Sequence, residues 1–210
     1  MQCLVSFLFI SELVGTVAFA ASGAIKAIKY KYDIMGIVTI GAITGIGGGV
    51  LRDEIISENT PGAFVDLKYA YIAIVVSLLV YAFYMLKNKG IIKHSVTNKM
   101  VYDICDAIGL GVFAINGTNA AMENGAFTAV IMGMLTATGG GILRDILCLE
   151  RPRVFKEEIY ITAALAGSVT FYTLTKIGLS SIIVASLSIL LAVMIRLMSI
   201  RWQWELPRAS

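Results

Sequence analysis

Two stretches of this chain place three glycines just ahead of an arginine–aspartate pair. They are "GGGVLRD", Gly47 to Asp53, and "GGGILRD", Gly139 to Asp145. Each closes a long apolar run. A glycine weakens a helix interior by about 1 kcal/mol relative to alanine, so three in succession mark a point where a helix bends or unwinds. An unwound turn presents bare carbonyl oxygens and the negative end of the upstream half-helix, which together suit a cation. The residues in play are Gly47, Gly48, Gly49, Gly139, Gly140 and Gly141. Thr44 lies one turn before the first triplet, and Thr136 and Thr138 precede the second; their hydroxyls are placed to line the same passage. The competing reading is tight packing, because small residues let membrane helices approach closely. Gly36, Gly41 and Gly133 are assigned that role alone. A dinucleotide-binding glycine loop is excluded, since it needs a preceding strand in a βαβ unit.

The charges come next. Neighbours in a helix sequence do not face each other, so Arg52, Asp53, Arg144 and Asp145 are each expected to find a separate partner, at a gate or pore mouth. The alternative makes Arg144 an interface anchor and Arg52–Asp53 a local pair. Glu12 and Asp106 are acids in or beside apolar runs. Such acids mark functional positions, and a carboxylate at a pore mouth concentrates cations. Ser22 and Asn116 lie deep in the first and fourth apolar runs, as interhelical hydrogen-bonding groups or as pore lining. Cys3, Cys105 and Cys148 are scattered and odd in number, which is neither a disulfide framework nor a metal set; they read as small buried hydrophobes. His94 stands alone in a lysine-rich loop and reads as solvated. No nucleophile–base or acid–base constellation is present, so the chain is not expected to be an enzyme. No cofactor or metal site is expected beyond transient potassium.

These residues need a scaffold. The 210-residue chain is 58% hydrophobic and only 15% charged, against about 25% charged in soluble domains; its mean hydropathy is +0.82. Seven stretches are long and apolar enough to cross a bilayer: roughly Cys3–Ile25, Ile34–Leu51, Tyr69–Leu86, Ile104–Met122, Ala126–Leu143, Ile159–Thr175 and Gly178–Ile195. Backbone groups in lipid must be satisfied within the segment, which makes each span a helix; the short alternating segments of a barrel are absent. The first run has no basic lead-in and exceeds a signal peptide's apolar core, so it is read as a span. The expected architecture is an all-α membrane protein, a single transmembrane domain.

The doubled motif belongs to a longer echo. "ELVGTVAFAASG" (Glu12–Gly23) matches "DAIGLGVFAING" (Asp106–Gly117), and Pro61 and Phe64 match Pro152 and Phe155. The expected units are repeat one at about 4–87, repeat two at about 102–176 and an unmatched seventh helix at about 178–199. Each repeat holds three spans. The second therefore enters the membrane from the opposite face, making the halves inverted repeats. Fourteen of the seventeen Lys and Arg residues fall on one side of this arrangement and Arg52, Lys68 and Lys176 on the other. By the positive-inside rule the N-terminus is outside and the C-terminus cytoplasmic. The basic residues are topology determinants with a secondary attraction to anionic lipid headgroups, and nucleic-acid binding is not expected.

With "GGGVLRD" and "GGGILRD" doubled in seven spans, the chain resembles the trimeric intracellular cation channel family, in its prokaryotic branch. That branch overlaps small bacterial membrane proteins described as glycine transporters. The resemblance covers nearly the whole chain. It implies a homotrimer with one pore per subunit, passing monovalent cations, chiefly potassium, with the second and fifth helices kinked at Gly47–Gly49 and Gly139–Gly141. Animal members carry a lysine motif near the second kink, tied to gating and lipid binding. This chain has "GGGILRD" there, so that regulation does not carry over. The other class of function left open is a secondary transporter of a small neutral solute such as glycine, for which inverted repeats are also the usual architecture.

Overall fold

The computed structural model describes residues 2–56, 60–90, 98–156, 159–179 and 181–204. Among these the regular structure is entirely helical. The long helices are α1 (Gln2–Lys29), α2 (Ile34–Ile56), α4 (Lys68–Asn88), α5 (Lys99–Ala120), α6 (Ala126–Leu147), α8 (Tyr160–Lys176) and α9 (Ser181–Trp202). Short helices α3 (Gly62–Val65) and α7 (Arg153–Lys156) precede α4 and α8. Six of the long helices have the length and apolarity to cross a membrane. The remaining one, α8, has 17 residues and reaches about 25 Å at 1.5 Å per residue. His94 and the side chain of Cys3 lie outside the described residues.

The helices overrun the apolar runs that announce them. Helix α2 continues past Leu51 to Ile56 and carries Arg52 and Asp53; α6 continues past Leu143 to include Arg144 and Asp145; α9 extends to Trp202 and includes Arg196. Hydropathy ends a segment at its first charge, but helical hydrogen bonding goes on wherever those charges find partners. Local signals set the ends. Asn98 caps α5 by accepting from the Met100 amide, and Gly125, at φ 92°, supplies the left-handed turn before α6.

The expected unwinding at the glycine triplets is not observed. Both α2 and α6 stay helical from end to end, so the carbonyls of these turns remain in the helical ladder. The glycines are used for contact between helices instead, as described below.

Helices α1, α2, α5 and α6 form the centre, through the pairs α1–α2, α5–α6, α1–α5 and α2–α6. Helix α4 covers α1 and α2; α8 and α9 cover α5, with α9 having no counterpart in the first half. Phe19, Leu110, Phe113, Ile115, Tyr160 and Phe171 fill the core. The outward faces of α4 and α9 expose Tyr71, Val75, Leu79, Phe83, Ile183, Leu187 and Leu190. Apolar faces of that extent belong in lipid.

Cys148, just past α6, is buried, and that burial pushes its thiol above the ordinary range. Alkylation requires the thiolate. Cys148 is therefore expected to stay unmodified by iodoacetamide at pH 8 in the folded protein and to react after denaturation. Peptide mapping by mass spectrometry checks this, and full labelling before denaturation would contradict the burial.

Candidate functional site

The site begins where α2 and α6 cross. A Cβ added to Gly48 would overlap the Thr136 carbonyl oxygen, and one added to Gly140 would overlap the Thr44 carbonyl oxygen. The flanking contacts reciprocate as well: a Cβ on Gly47 would lie 2.7 Å from Leu143 Cδ1, and one on Gly139 would lie 2.9 Å from Leu51 Cδ1. Swapped contacts of this kind are what two-fold-related surfaces make. Gly49 differs, since a Cβ there would meet only Arg52 Nη2 at 3.8 Å.

Thr44 and Thr136 do not face an open passage here. Both are buried, and their hydroxyls donate to the Ile40 and Met132 carbonyls at 2.6 Å. They seat against Gly23 and Gly117, where there is room for no side chain. Thr138 likewise donates to the Met134 carbonyl at 2.9 Å. Ser22 and Asn116 both bond between helices: Arg144 Nη1 donates to Ser22 Oγ at 3.0 Å, and Asn116 Nδ2 donates to Ser11 Oγ at 3.2 Å.

A second crossing joins α1 to α5. The matched residues Phe19 and Phe113 stack on each other, with centroids 5.3 Å apart and planes 28° apart. Phe19 occupies the space left by Gly109.

On either side of these crossings stands an ion-pair cluster. In the first, Arg52 Nη1 reaches Glu12 Oε1 at 3.4 Å and Arg52 Nε donates to Asp53 Oδ1 at 2.7 Å. Tyr69 donates to Glu12 Oε2 at 3.1 Å, and the Gly62 amide donates to Asp53 Oδ2 at 2.9 Å. The second cluster repeats this part for part. Arg144 Nη1 donates to Asp106 Oδ1 at 2.6 Å and Arg144 Nε to Asp145 Oδ1 at 2.8 Å. Tyr160 donates to Asp106 Oδ1 at 3.3 Å, and the Arg153 amide to Asp145 Oδ2 at 2.8 Å. One expectation is thereby corrected, and the alternative reading holds for the Arg52–Asp53 pair but not for Arg144. Each arginine does bond its sequence neighbour, because the long side chain curls back to it while its tip reaches a third residue. Arg144 is no interface anchor: it is 0% exposed.

The clusters differ in wetness. The side chains of Arg52, Asp53 and Glu12 retain 14%, 20% and 22% exposure. They border a cavity of ≈ 270 Å³ whose lining also includes Thr16, Gly45, Gly49 and Phe113. Its charged lining is Glu12, Asp53 and Asp66 against Arg52 and Lys68, a net of one negative charge. Lys68 holds the Asp66 carboxyl below its usual range. The centre of the Asp106 cluster, in contrast, is dry, with Arg144, Asp106 and Asp145 at 0–1% exposure, while Lys26, Glu150 and Arg153 on its rim border a second cavity of ≈ 360 Å³. Lys26 bridges Asp145 at 2.6 Å and Glu150 at 2.8 Å. Arg153 pairs with Asp103 at 2.8 Å and Asp106 at 3.3 Å. Arg196 of α9 lies over the Tyr160 ring at 4.6 Å. Lys26, Arg144, Arg153 and Arg196 thus balance Asp103, Asp106, Asp145 and Glu150.

Sequence reasoning missed several of these groups. Tyr69 and Tyr160 fall at the same offset as Pro61 and Pro152, so extending the repeat would have found them. Lys26, Asp103, Arg153 and Arg196 have no equivalent in the other half and left no such signal.

Paired contacts of this kind, inside a bundle with lipid-facing flanks, mark an integral membrane protein. Comparison with known proteins narrows this. The chain belongs to the glycine transporter family, which it matches over residues 9–85 and 103–176. It is 33% identical over 201 residues to the UPF0126 inner membrane protein YadS of Escherichia coli K12, covering 93% of each chain. It is 37% identical over 202 residues to the UPF0126 membrane protein YvgT of Bacillus subtilis, covering 95% of each. Among solved structures, it superposes on the TRIC trimeric intracellular cation channel orthologue from Rhodobacter sphaeroides with a TM-score of 0.84, at 30% identity, covering 94% of this chain and 98% of that one. A chain solved to explain conductance through TRIC cation channels gives a TM-score of 0.83 at 33% identity, over 96% of both.

Proposed function

We propose that the protein is a passive channel for monovalent cations, chiefly potassium, working as a homotrimer with a pore inside each subunit. The halves at about 4–87 and 102–176 are taken as inverted about an axis in the membrane plane, with the N-terminus outside and the C-terminus cytoplasmic. The Glu12 cluster then faces outward and the Asp106 cluster faces the cytoplasm. Arg52, Asp53 and Glu12 guard the outer mouth, and Arg144, Asp145 and Asp106 guard the inner one. The constriction lies where Gly47–Gly49 meet Gly139–Gly141.

The observation that carries this reading is the outer cavity. It runs alongside the first triplet and leaves one carboxylate charge uncompensated, which favours cations over anions. The likeness to TRIC cation channels across almost the whole chain supports the same class. Purified protein in liposomes is expected to pass potassium under an applied voltage, in discrete single-channel steps. Silence in a correctly assembled preparation would defeat the proposal.

A second reading is a carrier of a small neutral amino acid such as glycine. Two ends that differ in wetness suit an alternating-access carrier, and the family's description points the same way. Saturable, gradient-driven uptake of labelled glycine without single-channel events would favour it.

A further inference from the structure

We propose that Phe19 and Phe113 together form the apolar barrier between the two mouths, Phe113 on the side of the outer cavity and Phe19 between that cavity and the inner cluster. The inference rests on the reading of the two mouths given above. Its observations are the positions of polar groups along α1 and the stacking of the two rings.

Glu12, Phe19 and Lys26 sit seven residues apart on α1, two turns of helix, or about 10 Å of rise. Glu12 and Thr16 line the outer cavity. Ser22 and Lys26 bond to Arg144 and Asp145 of the inner cluster. Phe19 therefore interrupts, at its midpoint, a polar stripe that otherwise runs from one cluster to the other. Its partner Phe113 is among the residues lining the outer cavity. Both rings are almost wholly buried, at 0% and 2% exposure.

The surroundings explain why two rings suffice. Phe19 lies over Gly109, and a Cβ on Gly140 would be 3.3 Å from its ring. A Cβ on Gly15 would be 3.2 Å from the Phe113 ring. The glycines remove the side chains that would otherwise fill this level, and the stacked pair fills it in their place. An apolar plug offers water no hydrogen-bonding partner, so a constriction of this kind blocks ions by excluding their hydration shell. Ions cross only when the stack parts.

Two measurements test the barrier. Flux is compared between Phe19→Leu/Phe113→Leu, which keeps the level apolar, and Phe19→Ser/Phe113→Ser, which wets it. The serine pair is expected to raise potassium flux roughly tenfold over the leucine pair, as a modest lowering of a barrier does. The second measurement needs no conduction. In a background with Cys3, Cys105 and Cys148 replaced by serine, Phe113→Cys should react with a membrane-impermeant methanethiosulfonate added from the Glu12 face. Phe19→Cys, with the Phe113 ring in place, should resist the same reagent. Equal reaction of both from that face, or reaction of neither, overturns the barrier. So does equal flux in folded serine and leucine pairs. If the serine pair fails to fold, the single cysteine variants decide. If the unaltered protein carries no potassium, the channel reading fails while the thiol pattern still judges the barrier.

Discussion

Gly48→Ala and Gly140→Ala are expected to unseat the protein by similar amounts, while Gly49→Ala leaves it intact or slightly firmer. A methyl at either of the first two positions runs into a backbone carbonyl, that of Thr136 or Thr44. A carbonyl in a helix cannot swing aside as a side-chain tip can, so α2 and α6 must separate. Overpacking typically costs about 1–3 kcal/mol, and a rigid obstacle puts these substitutions at the upper end. At Gly49 the nearest atom outside the helix backbone is Arg52 Nη2 at 3.8 Å. The methyl fits there, and the helix gains up to about 1 kcal/mol of propensity. Thermal melting of detergent-solubilised protein reads all three. Equal melting of Gly48→Ala and Gly49→Ala would show that the crossing is looser than described. On the proposed channel reading, flux should fall with Gly48→Ala and Gly140→Ala, since both would distort the proposed constriction.

The second large effect separates the two arginines. Arg144→Met leaves Asp106 and Asp145 buried without their main counter-charge. Breaking a buried pair by removing one partner costs about 3–5 kcal/mol. Arg52 serves a cluster that keeps 14–22% exposure beside a cavity, where water compensates part of the loss. Arg144→Met is thus expected to lower the melting temperature sharply, and Arg52→Met by less. Arg144→Met/Asp106→Asn should recover part of the loss, because contacting residues couple. On flux the order reverses. Removing Arg52 adds a second uncompensated negative charge at the outer mouth and should raise cation flux at low salt, with the gain shrinking as ions screen it. Equal stability losses for the two arginines would refute the difference in burial.

Much of the scaffold was legible because membrane spans write themselves as long apolar runs, and Ile34, Ala126 and Tyr160 fall within a residue of the starts expected for them. The far ends were less legible. Arg52, Asp53, Arg144 and Asp145 look like the end of a span when read one residue at a time, yet they continue it, since the arginine and aspartate of each pair bond each other and groups from elsewhere in the chain. The glycine triplets were found but their local use was misjudged. Sequence registers how weak a glycine run makes a helix; it does not register a second backbone lying in the space the missing side chains leave. The same holds for Phe19 and Phe113, whose matching positions were plain in the repeat while their contact with each other depends on how two helices cross. Lys26, Asp103 and Arg153 were out of reach, being pieces of a cluster assembled across more than a hundred residues of chain, each with no echo in the opposite half.

The backbone contact between Gly48 and Gly140 has a mechanical corollary. Two stiff rods pressed closest at one level, backbone against backbone, retain tilting about that level as their easiest relative motion. The crossing then acts as a fulcrum. Leverage that spreads the rods at one end pinches them at the other, so the two ends of α2 and α6 move in opposition and are not free to widen together.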